Sequence, residues 1–214
     1  MAAVRMICLA NSRKHSNRCI AGICTETGAW VRPVTKGGDG AVPRIIIDKE
    51  EPALLDIIEV PLLEGPAPDF GFQAENKLMG GGAWARTGRA IPAVLFRHCR
   101  ITGPLLHNDR DRIPHGLLKL LPRPQWKSLD LVRAWNVAYY VKPTSKGKTQ
   151  CRAVFRYGGK TFDLAVTDPI MEARIADGHR KSQDCLMTVS LGMPFPEDDP
   201  NPACFKLVAG IIEL

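Results

Sequence analysis

The sequence predicts an all-β protein of two small five-stranded barrels in tandem, with only minor helices. In the second half of the chain, apolar residues recur at every second position through consecutive segments, which is the period of a β-strand. Polar or Gly-containing turn signals separate those segments. The composition, with 45% hydrophobic and 24% charged residues among 214, is typical of a globular domain. It excludes a wholly disordered chain, a collagen and a coiled coil.

The clearest strands come first in the second half. Alternating apolar residues predict a long strand over Leu129–Val141, followed by the polar turn Pro143–Thr149. A second strand is predicted over Cys151–Tyr157 and a third over Phe162–Val166. Gly158 and Gly159 lie between them as a two-residue hairpin signal, so these three strands form a meander.

A short helix interrupts this series of strands. Asp168 is a suitable N-cap, Pro169 fits the first helical position, and Gly178 ends the helix. Two further strands are predicted over Cys185–Ser190 and Cys204–Ile212. Three strands, a helix and two strands is the order of elements in an OB-fold barrel.

The first half repeats this opening less clearly. Five strands are predicted there: Arg5–Ala10, Arg18–Cys24, Trp30–Val34, Leu54–Leu62 and Ala93–Ile101. The Gly- and Pro-rich segment Glu64–Arg89 is too long for a hairpin loop, so we expect short helices or a binding role there. Residues 102–125 have the character of a linker with a short helix over His115–Leu121. The predicted domains are therefore residues 1–125, with the long loop insertion and the linker, and residues 126–214.

The charge of the chain is compatible with a polyanionic partner. The formal net charge is +7, and three stretches contain no acidic residue: Met1–Thr25, Asn76–Asn108 and Lys142–Lys160. This pattern is typical of nucleic-acid or nucleotide binding, and equally of ordinary charge that keeps a small domain soluble.

The sequence lacks the motifs of membrane, secreted and zinc-binding proteins, and the predictions on location and metal binding depend on this. There is no apolar run long enough to span a bilayer and no secretory signal, so the expected location is cytoplasmic, without membrane association. The seven cysteines contain no Cys-x-x-Cys pair, and we expect reduced thiols. His15, Cys19 and Cys24 match no common zinc spacing, and no metal or cofactor is predicted.

The turn that ends the first strand is the leading candidate for a binding site. Asn11 and Ser12 can turn the chain and offer polar contacts. Arg13, Lys14 and Arg18 can hold phosphate oxygens by charge-assisted hydrogen bonds. The alternative is an ordinary solvated turn between two strands.

Trp30 and Arg32 form a second candidate. They lie two residues apart, on one face of the third strand. An aromatic plane beside a guanidinium can stack a base next to a phosphate. Equally, Trp30 can fill the barrel core, with Arg32 as a charge at its rim.

Catalytic motifs are absent from the sequence. There is no Gly-x-Ser-x-Gly and no His-Glu-x-x-His, and no catalytic residue is predicted. Asp168 is explained as a helix cap. An enzyme acting on nucleic acid or nucleotides, using Ser12, Lys14, Asp168 or Glu172, stays open as an alternative.

Several segments, in order along the chain, resemble the dual OB-containing domain family of prokaryotic proteins. They are Ile7–Lys14, Arg18–Gly22, Trp30–Val34, Leu54–Pro61, Ala74–Asn76, Val166–Pro169, Ser190–Phe195 and Lys206–Ile212. The resemblance implies two OB barrels in tandem. It also implies recognition of nucleic acid or a nucleotide, in connection with defence and conflict systems. Pro196–Pro202 departs from the family's pattern, and its three acidic residues argue against a polyanion at that edge.

The expected function is therefore a non-catalytic module that recognises nucleic acid or a nucleotide. Its predicted binding residues are Asn11, Ser12, Arg13, Lys14, Arg18, Trp30 and Arg32. DNA, RNA and a small nucleotide all remain open as ligands. A protein–protein adaptor is the other alternative, because OB barrels also bind proteins and sugars.

Overall fold

The computed structural model describes residues 2–144 and 147–214. The chain forms two compact units, one ending at Arg97 and the other beginning at His98. Ser145 and Lys146, in the predicted turn Pro143–Thr149, lie outside the described residues.

The first unit is built on six strands. They are β1 (Ala2–Lys14), β2 (Asn17–Cys24), β3 (Trp30–Val34), β4 (Asp56–Leu62), β5 (Asn76–Leu78) and β6 (Ala85–Arg89). Their order in the sheet is β5-β3-β2-β1-β4-β6, and β5 runs parallel to β3. A bridge between Leu62 and Met79 also brings the end of β5 against β4, so β1 to β5 form a ring, and β6 is added to β4.

The second unit contains the other six strands and two short α-helices. They are β7 (Arg112–Pro114), α1 (His115–Lys119), β8 (Leu129–Pro143), β9 (Thr149–Tyr157), β10 (Lys160–Val166), α2 (Pro169–Ala176), β11 (Lys181–Phe195) and β12 (Ala203–Glu213). The sheet order is β10-β9-β8-β11-β12-β7, and parallel pairing of β10 with β12 closes a five-stranded barrel.

The predicted strands, turn and helix of the second unit are confirmed. Ala153, Phe155 and Tyr157 of β9 are buried, and the residues between them are less so, as period-two alternation requires. Gly158 and Gly159 make the predicted hairpin turn with φ angles of 56° and 78°, which glycine adopts without strain.

The predicted helix cap at Asp168 is confirmed as well. Oδ1 of Asp168 accepts hydrogen bonds from the backbone N–H groups of Ile170 (3.0 Å) and Met171 (3.2 Å). Oδ2 accepts a third from the N–H of Ile211, at 3.2 Å. Asp168 therefore joins the start of α2 to β12, and its carboxylate has a structural explanation that needs no catalysis.

The prediction of the fifth strand of the first barrel is wrong. Pro92–His98 forms a 3-10 helix instead of a strand over Ala93–Ile101. The strands that pair with β3 and β4 come from the long loop insertion, as β5 and β6. The run around Leu95 lacks alternation, and only Leu95 is buried there, so the segment has one apolar contact point rather than an apolar face.

The segment 98–125 packs within the second unit. Ile113 of β7 pairs with Cys204 of β12, and the N–H of Lys206 donates to the carbonyl of Asp111. The predicted short helix is present as α1. The division of the chain at residue 125 stays a prediction about its folding units.

Candidate functional site

Acidic residues hold the cations predicted at the first barrel. Arg18 donates from Nε to Oε2 of Glu51 at 2.7 Å and from Nη2 to Oε1 at 3.0 Å. Arg44 also donates from Nε to Oε1 of Glu51, at 2.7 Å. Burial opposes ionisation of Glu51, but the hydrogen bonds from Arg18 and Arg44 prevail and hold the pKa of its carboxyl below the ordinary value.

The other residues of the first turn are also engaged with the protein. Lys14 donates to the backbone carbonyl of Asp39, and its Nζ lies 3.6 Å from Oδ2 of the same residue. Asn11 donates to the carbonyl of Pro52 at 2.9 Å. Ser12 is buried and donates to the carbonyl of Cys19. Arg13 is exposed on the same strand.

Trp30 and Arg32 are not equivalent in the structure. Trp30 is half-buried at the start of β3, opposite Ile23 of β2. Arg32 is only 3% exposed, and its Nη2 lies 3.1 Å from Oε1 of Glu75, whose side chain is 8% exposed. This ion pair would have to open before Arg32 met a phosphate. The binding roles predicted for the first-barrel residues remain predictions.

The outer face of the second barrel presents a different set of side chains. Alternation in β9 places Arg152, Val154 and Arg156 outward, because the intervening residues fill the barrel. Tyr140 lies opposite Arg152 on β8, and Trp135 lies opposite Arg156. In OB barrels, the face of the second and third strands, with the loops after the first and fourth strands, is where ligands bind. Here those strands are β9 and β10.

A cavity of about 390 Å³ opens on this face. It lies beside the place where β10 and β12 separate, because their parallel pairing covers only Ala165 with Leu207 and Val166 with Val208. The residues around it come from β9, β10, the end of β11 and β12, and from the segment before β7. Its lining includes Gln150, Arg152, Asp163, Phe195, Phe205 and Lys206. A volume of this size lies within the range of roughly 300–1,000 Å³ that small-ligand sites occupy.

Two phenylalanines form the aromatic edge of the cavity. Phe195 ends β11 and is 54% exposed, and Phe205 lies on β12 after the intervening loop. Their rings pack edge to face, with centroids 6.5 Å apart. The guanidinium of Arg112 lies over the Phe205 ring, 4.8 Å from its centroid. An exposed aromatic surface next to an arginine suits a planar, anionic ligand.

A hydrogen-bonded network orients the polar side of the cavity. Arg152 donates from Nε to Oδ1 of Asp163 at 2.9 Å and from Nη1 to Oε1 of Gln150 at 3.0 Å. Tyr140 donates to Oδ2 of Asp163 at 2.7 Å. This hydrogen bond raises the pKa of the Tyr140 phenol. The side chain of Asp163 is nevertheless 44% exposed, so its carboxylate stays open to a ligand.

Lys206 lies between the cavity and the barrel interior. It is 2% exposed, and its Nζ donates to the carbonyl (2.6 Å) and Oδ1 (2.8 Å) of Asn108 and to the carbonyl of Arg110 (2.5 Å). Its Nζ also lies 5.5 Å from the centroid of the Phe162 ring. Burial lowers the pKa of Lys206 to about 8. Lys206 thus ties the segment before β7 to β12, which fixes the position of Arg112 beside Phe205.

A second aromatic–arginine group continues the face along β8. Trp135 is 44% exposed, and the guanidinium of Arg133 lies 5.3 Å from its ring centroid. Arg133 is held by Asp184, with Nε donating to Oδ1 at 3.0 Å. The exposed Arg156 lies opposite Trp135 in the sheet. Aromatic and basic side chains therefore alternate across this face, as they do where single-stranded nucleic acid stacks.

The two loops beside the face carry opposite charge. The β8–β9 hairpin presents the exposed Lys142 and Lys148 and belongs to the acid-free stretch Lys142–Lys160. The loop after Phe195 contains Glu197, Asp198 and Asp199, all exposed. A phosphate chain is therefore favoured on the hairpin side and disfavoured next to Phe195.

A Ser–His–Glu group elsewhere in the second unit does not have the geometry of a catalytic relay. Nε2 of His179 lies 3.1 Å from Oγ of Ser182 and 2.9 Å from Oε1 of Glu213. A relay requires the acid on the ring nitrogen opposite the nucleophile. Here both partners meet the same nitrogen, and the buried Ser182 donates directly to Glu213. The group joins β11 to the end of β12.

The described residues contain neither a candidate metal site nor a candidate membrane-spanning helix. Within residues 2–144 and 147–214, no three His, Cys, Asp or Glu side chains are grouped so that they could hold a metal ion. In the same part of the chain, no helix combines the length and the apolar character needed to cross a membrane.

Comparison with known proteins identifies the family. The family model described as "Dual OB-containing domain" matches residues 4–211, and the chain belongs to this family. The comparison with curated proteins found no match. A solved structure titled "Structure of murine DNA binding protein bound with ds DNA" aligns over 100% of both chains, at 7% identity and a TM-score of 0.33.

Sequence reasoning missed the face of the second barrel because its residues are far apart in the chain. Arg112, Arg152 and Phe205 come from three separate segments. One signal was present: Phe195 lies in the loop between the predicted strands Cys185–Ser190 and Cys204–Ile212, and Phe205 lies at the start of the second strand. Large apolar residues at such a loop often serve binding.

Proposed function

We propose that this dual OB-containing protein binds single-stranded nucleic acid on the outer face of its second barrel, without catalysis. The observation that carries the proposal is the pair of the exposed Phe195 and the half-buried Phe205, with Arg112 over Phe205, at the rim of a cavity on β9, β10 and β12. Single strands bind to proteins by stacking bases on aromatic rings while cations follow the phosphates.

The distribution of charge supports the same arrangement. Arg156, Lys142 and Lys148 supply exposed positive charge along β9 and its hairpin. The acidic loop at Glu197–Asp199 directs phosphates away from Phe195, so that bases rather than phosphates meet the two rings. A duplex hides the faces of its bases, and this favours a single strand.

Fluorescence anisotropy with labelled single-stranded DNA and RNA oligonucleotides tests the proposal. Phe205→Ala should weaken binding by about 1–3 kcal/mol, the usual contribution of one stacked base. Ile170→Ala is the matched control, because Ile170 is an exposed apolar residue on α2 outside the cavity. Its affinity should equal that of the wild type.

The dependence on salt tests the phosphate contacts. Three cations that meet phosphates of a single strand give a slope of log affinity against log salt of about −2. Absence of binding at low salt, or equal binding by Phe205→Ala and wild type, would contradict the proposal and favour the protein–protein adaptor. Release of cleaved or altered oligonucleotide would favour the enzyme. A role in prokaryotic defence, which the family resemblance implies, stays a prediction. A cytoplasmic location, which was expected because the sequence has no membrane-spanning run and no secretory signal, also stays a prediction.

A further inference from the structure

We infer that the cavity beside Phe195 and Phe205 is a guanine-selective base subsite, an inference that rests on the proposed binding of single-stranded nucleic acid. The cavity of about 390 Å³ combines an aromatic wall with a carboxylate, a carboxamide and a guanidinium. Such a mixture, mostly apolar with a few oriented polar groups, is typical of a site that recognises one planar ligand.

The chemistry of Asp163 selects among the bases. An ionised carboxylate only accepts hydrogen bonds, and its two oxygens lie side by side. The Watson–Crick edge of guanine presents two neighbouring donors, N1–H and the N2 amino group. Adenine and cytosine present one amino group beside an acceptor, and uracil or thymine a single N–H between two acceptors. Guanine is the base whose donors match both oxygens.

The network around Asp163 prepares it for this role. Arg152 donates to Oδ1 and Tyr140 donates to Oδ2, which fixes the plane of the carboxylate. Each carboxylate oxygen accepts more than one hydrogen bond, and the side chain is 44% exposed, so a base edge can reach it. Fixed acceptors lose little entropy on binding, which sharpens discrimination.

The remaining side chains of the cavity complement the other groups of guanine. The Nη1 of Arg152 binds Oε1 of Gln150, which leaves the amide NH₂ of Gln150 as a donor within the cavity lining. The O6 and N7 atoms of guanine are acceptors, which amide and guanidinium donors bind. The ring of Phe205 or Phe195 supplies the stacking surface for the base plane.

A single-base substitution series tests the selectivity on the wild-type protein. Labelled dT oligonucleotides carry one central dG, deoxyinosine, dA or dT. Inosine lacks only the N2 amino group of guanosine. We expect the dG oligonucleotide to bind about 5- to 150-fold more tightly than the dA or dT oligonucleotide, because this is the discrimination that one bidentate hydrogen-bonded pair provides. The affinity of the inosine oligonucleotide should be about tenfold lower than that of the dG oligonucleotide, because one hydrogen bond is missing.

A substitution in the protein assigns the effect to the cavity. Asp163→Asn replaces one acceptor by a donor and should bring the ratio of dG to inosine affinity close to one, with dT affinity retained. Asp177→Asn, at an exposed position at the end of α2, is the matched control and should retain the wild-type ratio.

The outcomes separate the two proposals. Equal affinity of the wild type for dG, inosine, dA and dT overturns the guanine subsite but leaves nucleic-acid binding intact. Selectivity that Asp163→Asn leaves unchanged overturns the assignment to Asp163. No binding of any oligonucleotide, with the protein folded by circular dichroism, overturns the proposed function itself.

Discussion

Removal of the Arg32 guanidinium distinguishes a structural ion pair from a phosphate ligand. In Arg32→Ala, Glu75 loses the Nη2 group that lies 3.1 Å from its Oε1, at a place where the two side chains are 4% and 8% exposed. Removing the cation from a buried ion pair lowers the free energy of unfolding by about 3–5 kcal/mol, because the carboxylate is left without its partner. For a chain of this length, 1 kcal/mol corresponds to about 2–4 °C, so the thermal midpoint should fall by roughly 6–20 °C.

Thermal and urea unfolding followed by circular dichroism measure this loss. Glu75→Gln should destabilise the protein in the same direction, and the double variant Arg32→Met with Glu75→Met should recover much of the stability, because neither charge is left unpaired. Arg13→Ala is the control, since Arg13 is exposed and its removal should change stability by less than about 0.5 kcal/mol. Folded Arg32→Ala should bind oligonucleotides as the wild type does.

One result would refute this reasoning. If Arg32→Ala kept the wild-type thermal midpoint but lost oligonucleotide affinity, and its salt slope became shallower, Arg32 would meet a phosphate as the sequence predicts. The first barrel would then carry the binding site, and the ion pair with Glu75 would open on binding.

Three further variants test individual residues by urea unfolding. Asp168→Ala removes both N-cap hydrogen bonds and the acceptor for the N–H of Ile211, so it should lower the free energy of unfolding by about 2–4 kcal/mol. Asp168→Asn keeps an acceptor and should lower it less. Trp30→Ala should lower the free energy of unfolding by about 2 kcal/mol, which is less than the loss of a fully buried aromatic causes, because Trp30 is half-buried. It should leave oligonucleotide affinity unchanged, and a loss of affinity would support the first-barrel site. Burial lowers the pKa of Lys206 from 10.5 to about 8, so the folded state binds fewer protons than the unfolded state between these values. The stability of the wild type relative to Lys206→Met should therefore rise with pH across that window, and a constant difference would contradict the lowered pKa.

The second barrel was predictable from sequence because its strands alternate between buried and more exposed positions over most of their length. One face of β9 and β10 is buried in the barrel, and the buried Ala153, Phe155, Phe162 and Leu164 alternate there with the less buried Arg152, Val154 and Asp163. The capped helix and the Gly158–Gly159 turn have local causes, which the sequence also records. The fifth strand of the first barrel has no such local cause, because β5 is only three residues long and depends on pairing with β3 and β4.

The candidate site was harder to predict because partners distant in sequence decide what each charge does. The stretch Met1–Thr25 contains no acid, which suggested that Lys14 and Arg18 face a polyanion. In the structure, Asp39 and Glu51 from the following segment fold back on these two cations. A count of charges along the chain cannot detect such a pairing, because the acids lie 25 and 33 residues away.

Because acids already hold many of the cations, the net charge of +7 overstates the electrostatic contribution to the proposed binding. A cation that already holds an acid releases few counterions when a phosphate approaches, so only the exposed, unshared cations determine the salt slope. On the proposed binding face the exposed cations include Arg156, Lys142 and Lys148, while Arg133 is held by Asp184 and Arg152 by Asp163. The acidic loop after Phe195 reduces the phosphate contribution further. In the proposed binding mode, stacking on Phe195 and Phe205 and the hydrogen bonds in the cavity therefore supply most of the affinity. Because stacking accepts every base, the hydrogen bonds in the cavity determine which base is preferred.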